Sequence, residues 1–166
     1  MRSVFTICTL VLLFLLPFIS KTLAAEVVFS TWDVFETDKC ASIWLIKRFI
    51  DPKAEIRFFP HGTSITEGIP FDTPEAQFRR YATKSTYETL LEHYDLKDPR
   101  LKYIGRLIHD IEVNVWEKKV YNESTKVLEA IRLIIVKNEG NNKAIMEKSL
   151  EYFDALYQVS LPKLSD

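Results

Sequence analysis

Asp38-Lys39-Cys40-Ala41-Ser42-Ile43-Trp44-Leu45-Ile46-Lys47-Arg48-Phe49-Ile50-Asp51-Pro52 reads as a buried helix with one decorated side. Ile43, Ile46 and Ile50 recur at helical spacing, and Leu45 with Phe49 cover much of the opposite side, so neighbours pack it from two directions. Cys40, Trp44 and Lys47 line a third side, with Arg48 on its edge. Asp38 is placed to cap the start. Asp51-Pro52 gives a stop, because the residue before a proline is pushed out of the α region. Lys47 and Arg48 fall in the last turn, where positive charge suits the helix dipole.

Working outward, Glu26 to Trp32 is β-branched and aromatic enough for a strand, and Ala54 to Phe59 alternates as a second strand ending at Pro60. Strand, helix and strand in succession predict a right-handed βαβ crossover. His61 to Pro70 is a loop rich in Gly, Ser and Thr, Thr73-Pro74-Glu75 is a turn or helix start, and Gln77 to Tyr81 forms a short further strand. From Ser85 the chain turns helical. Ser85-Thr86-Tyr87-Glu88 fits a capping box, and Asp98-Pro99 is an N-cap with proline at the first helical position. The Pro99 helix carries Leu101, Ile104, Ile108, Ile111 and Val115 inward. The next run carries Val127, Leu128, Ile131, Ile134 and Ile135 and ends at Gly140. Asn141 or Asn142 opens a last helix with Ile145, Met146, Leu150, Phe153 and Tyr157 inward. The expected class is α+β: a small N-terminal sheet with a βαβ-like start, packed against four to five helices.

Residues 1–25 are set aside as a Sec-type signal peptide, with Arg2 as the positive start, an apolar run from Val4 to Ile19, and Thr22-Leu23-Ala24 for cleavage. Residues 26–166 then form one domain, periplasmic or secreted, with no membrane span left after cleavage. Of the 22 Lys and Arg, Arg2 and Lys21 leave with the leader, so 20 basic residues face 23 acidic ones, a formal charge near −3. That balance, with export, argues against a nucleic-acid partner, whose phosphates demand concentrated positive charge. Cys8 leaves as well, so Cys40 is the one thiol and has no partner for an internal disulfide. Burial is its default state, although a helix first turn beside Lys39 is also a setting that activates a thiolate.

The opening run resembles the signature of the chromate-resistance exported protein family, itself similar to the C-terminal domain of chromate-responsive regulators. Asp38, Cys40, Trp44, Leu45, Ile46, Arg48, Phe49, Ile50, Asp51 and Pro52 carry the likeness in order. It continues through Phe71-Asp72, Tyr94-Asp95-Leu96, Asp98-Pro99, Ile108-His109-Asp110 and Phe153-Asp154-Ala155-Leu156-Tyr157. The resemblance implies a link to chromate resistance. It also implies a His and a Cys just ahead of the Ser85 helix, where this chain has Arg80 and Ser85, a departure that removes potential metal ligands and adds positive charge.

Two chemistries follow. In the first, a small oxyanion is bound or sensed by Arg48, with Arg80 and Lys47, beside Asp38 and Trp44, because a guanidinium fork suits oxyanion geometry. In the second, His109 and Glu112, three apart on one helix face, join Glu88 to hold one divalent transition metal, and Cys40 is the catalytic redox group of an envelope enzyme. Gly105 leaves room above the His109 ring, Trp116 shares its face, and Asp110 points away. A third reading is an envelope protein-interaction module that presents Trp and Tyr side chains.

Overall fold

The computed structural model describes residues 26–160 apart from 115 and 117. The expected leader and the inward place given to Val115 lie outside the described residues. The α+β expectation holds. Three parallel strands lie in the order β2-β1-β3, with β1 Val28–Trp32 central, β2 Glu55–Phe59 on one side and β3 Ile69–Pro70 on the other. Register pairs Val28 with Glu55 and Trp32 with Phe59. β3 comes from the segment read as loop. It pairs with β1 because Gly68, at φ +77°, brings the backbone hard against Val28 and Ser30, closer than a side chain would allow. The strand expected over Gln77 to Tyr81 reduces to single bridges, Phe71 with Phe78 and Tyr81 with Lys84.

Between β1 and β2 runs α1 Thr37–Leu45, continued without a break by a π turn, Ile46–Ile50. The extra residue is taken up by the bond from Asp51 N–H to the Ile46 carbonyl. It corrects the regular-helix expectation. Residues five apart diverge on a regular helix, whereas here the Trp44 and Phe49 rings meet at 5.1 Å and both pack on Tyr157, at 5.8 and 5.1 Å. The stop at Asp51-Pro52 holds.

The remaining helices are α2 Thr86–His93, α3 Pro99–Glu112, α4 Asn122–Lys137 and α5 Asn142–Val159. α1 packs against α2, α3, α4 and α5, so it is the hub of the core, with Ile43, Trp44, Leu45 and Ile46 all fully buried. The local start signals are used as read: Ser85 and Glu88 form the capping box, Asp98 accepts from Arg100 N–H, and Asn141 accepts from Ala144 N–H. Gly105 serves packing rather than the His109 ring, since a Cβ there would sit 3.2 Å from Leu91 and 3.4 Å from Tyr87. Among the described residues, no helix is long and apolar enough to cross a membrane.

Candidate functional site

Asp38 does not cap its own helix. The N-cap of α1 is Glu36, which makes no side-chain cap bond. The Asp38 carboxyl group instead reaches the start of α2, where its oxygens accept the N–H groups of Thr86 at 2.7 Å and Tyr87 at 2.9 Å. With Ser85 accepting from Glu88, the first three donors of α2 are all paired. Glu112, the last residue of α3, does the reciprocal service and accepts the Asp38 N–H at 3.3 Å. Caps contributed by distant residues therefore tie α1 to α2 and α3 to α1. The closing link is α2 to α3, where Glu88 meets His109 Nδ1 at 2.9 Å.

Burial of these acids is expensive. Burial, reinforced by the nearby Asp72 carboxylate, pushes Asp38 up to about 8. Asp72 and Glu112 are also raised by burial, and burial lowers Lys39. Asp72 adopts φ +51°, a conformation an Asp tolerates, and its carboxylate accepts from Thr86 Oγ1 at 2.8 Å and lies 3.6 Å from Lys39 Nζ. Lys39 Nζ also donates to the carbonyls of Trp32 and Val34.

In front of this buried cluster opens a cleft of about 590 Å³, between the β1–α1 connection and the 72–81 loop. Trp32, Glu36, Lys39, His61, Asp72, Arg79, Arg80 and Tyr81 line it. Arg80 spans the rim, bonding Glu36 at 2.5 Å and Glu112 at 2.9 Å. Arg79 donates to the Pro74 carbonyl and lies over the Tyr81 ring, and among the described residues it has no carboxylate partner.

Of the residues singled out for an oxyanion, the structure brings together Arg80 and Asp38, through Glu112, and places the others elsewhere. Arg48 makes a two-pronged pair with Asp154, with contacts of 2.9 Å, and Lys47 donates to the Pro52 and Ala54 carbonyls. Trp44 is fully buried and its Nε1 donates to the same Asp154. The structure thus does not bring Arg48, Lys47 and Arg80 together: Arg48 pairs with a residue 106 positions on, Lys47 with local carbonyls, and Arg80 with Glu36 and Glu112.

The metal set is likewise divided. His109 joins Glu88, but Glu112 turns to Arg80 and the α1 start because α3 ends at Glu112. Among the described residues, no group of three or more His, Cys, Asp or Glu is arranged to hold a metal ion. Trp116 lies beyond the helix, 76% exposed. Asp110 is buried and organises the next loop, accepting the N–H groups of Val120 and Tyr121 at 3.0 Å. Cys40 is buried at the α1–α5 contact face, and burial pushes its thiol up to about 12, so it is a core residue, not an activated thiolate. Trp32, Asp72, Arg79 and Tyr81 escaped the sequence reading. Asp72 lay within the matching motif, and the adjacent basic pair Arg79-Arg80 was the other available signal.

The chain belongs to the ChrB C-terminal domain family, whose model matches residues 29–160, which bears out the chromate-resistance motif in the signature helix. Protein ChrB of Cupriavidus metallidurans is 32% identical over 78 residues, 46% of this chain and 24% of that protein. The chain therefore aligns with about a quarter of that relative's length. No solved structure matches.

Proposed function

We propose that this ChrB-type domain binds a small oxyanion, chromate or a close tetrahedral analogue, in the cleft beside Arg79 and Arg80, and that it works outside the cytoplasm after loss of the leader. The observation that carries the reading is Arg79. It is a cation at a concave site, with donors left over and no carboxylate neutralising it among the described residues. Arg80 is held rigidly beside it by two carboxylates and contributes field more than free donors. This relocates the oxyanion from the signature helix to the loop that follows the sheet. Export rests on Arg2, the apolar run to Ile19 and the small residues at Thr22-Leu23-Ala24.

The test is thermal denaturation of the mature protein in rising chromate, sulfate and phosphate, beside Arg79→Ala. Wild type should gain several degrees at millimolar oxyanion and Arg79→Ala should gain none. A midpoint indifferent to all three anions would overturn the reading. Mass spectrometry of protein recovered from the envelope should find a chain beginning near Ala25; intact Met1 in that fraction would refute loss of the leader, and recovery of the protein in the cytoplasmic fraction alone would refute export.

A further inference from the structure

A tetrahedral oxyanion accounts for little of the cleft. Its 590 Å³ equals roughly twenty waters at ~30 Å³ each, and falls in the range of about 300–1,000 Å³ typical of sites for organic ligands. The unused part is aromatic. The Trp32 ring is fixed by its Nε1 bond to the Thr63 carbonyl at 2.7 Å, and the His61 ring stands edge-on to it at 4.8 Å. Across the cleft, Tyr81 is 45% exposed beneath the Arg79 guanidinium, which lies 4.9 Å from the ring centroid. Charge narrows the class further. Lys39 is tied to Asp72, and Arg80 to Glu36 and Glu112, which leaves Arg79 as the lining cation without a carboxylate partner among the described residues. One cation so placed matches one acid group. A ligand with a second, separate acid group would set it against Glu36 and Asp72 with no further cation to neutralise it.

We propose that the cleft takes a ring-bearing monoanion, an aromatic or heteroaromatic carboxylate, with the acid on Arg79 and the ring against Trp32 and Tyr81. This rests on the reading that Arg79 binds an oxyanion group and deepens it by naming what that group is attached to. The carboxylate supplies the fork contact, and the ring fills the space that chromate or sulfate leaves to water.

The experiment is titration calorimetry of the mature protein with benzoate, acetate, benzamide and sulfate, in wild type, Arg79→Ala and Tyr81→Ala. Tyr81 is exposed, so its truncation leaves the core intact. Benzoate should bind roughly tenfold or more tighter than acetate, the scale of one added aromatic contact. Benzamide should not bind, Tyr81→Ala should erase the preference for benzoate over acetate, and Arg79→Ala should abolish all anions. Equal affinity for benzoate and acetate, or benzoate binding that survives Arg79→Ala, would overturn the ring-bearing class. Sulfate binding that persists alongside those results would leave the oxyanion reading standing. Binding of no anion at all would overturn both.

Discussion

Replacing Asp38 with Ala should be among the most damaging changes available to this chain, although Asp38 contacts no solvent and lies behind the cleft. The side chain pairs two buried N–H groups at the start of α2, and among the described residues no other acceptor bonds them. Each orphaned donor costs about 1–3 kcal/mol, so the pair sets a loss of about 2–6 kcal/mol. Removing a carboxyl that burial penalises offsets part of this, and the expected net is about 3 kcal/mol. Against a domain stability of about 5–15 kcal/mol that is a large fraction. Asp38→Asn keeps one acceptor and should fall between. The pH dependence has a definite sign. Folded Asp38 keeps its proton up to about 8, against an ordinary 3.8, so between those values the native chain holds more protons than the unfolded one. Its contribution to stability is therefore fully present below about pH 4 and is lost as the pH rises toward 8. The deficit of Asp38→Ala should accordingly be larger at pH 5 than at pH 8. Urea denaturation followed by circular dichroism at both values measures it. A deficit under about 1 kcal/mol at pH 5, or one that grows with pH, would refute the argument.

Gly68→Ala should cost about 2 kcal/mol or more, because φ is +77° and a Cβ would lie 2.5 Å from Ser30 Oγ and 2.9 Å from the Val28 carbonyl. Gly62→Ala, at a similar φ with nothing within 4 Å, is the control, and equal urea midpoints for the two would show that close approach to β1 is unimportant. Cys40 should resist thiol reagents in the folded protein at pH 8 and react at the rate of unfolding once urea is added. Prompt labelling without denaturant would contradict its burial and raised pKa.

The start of α2, the proline-led start of α3 and the Asn141 start of α5 were legible because their signals are local: the acceptor sits two or three residues from the donor it serves. Asp38 was misread for the same reason. An acidic residue in a first turn is the local pattern, yet its partners are 48 and 49 residues away, and no spacing rule records that. Arg48 read as a cation for an oxyanion, and the carboxylate it pairs with, Asp154, lies 106 residues on. The π turn was hidden too, since the apolar spacing of Ile43, Ile46 and Ile50 fits a regular helix. What selects the wider turn is the shared contact of Trp44 and Phe49 on Tyr157, a tertiary cause.

The same distance problem governs the cleft, and it also explains why the cleft sits where it does. β1 and β2 are joined through α1, so the loop leaving β1 and the loop leaving β3 emerge at one end of the sheet, where strand ends in such arrangements commonly hold ligands. Glu36 belongs to the first of these loops and Arg80 to the segment after the second. Arg80 is anchored to Glu112, whose other oxygen accepts from the start of α1. One wall of the cleft is therefore built from the carboxylate that also finishes a helix of the core. The acid that finishes the next helix, Asp38, is one bond further in. Arg80 is held between two carboxylates, Glu36 and Glu112, and the second of these also accepts at the start of α1. Arg79, which among the described residues bonds only a loop carbonyl and rests on Tyr81, is the less constrained of the two arginines.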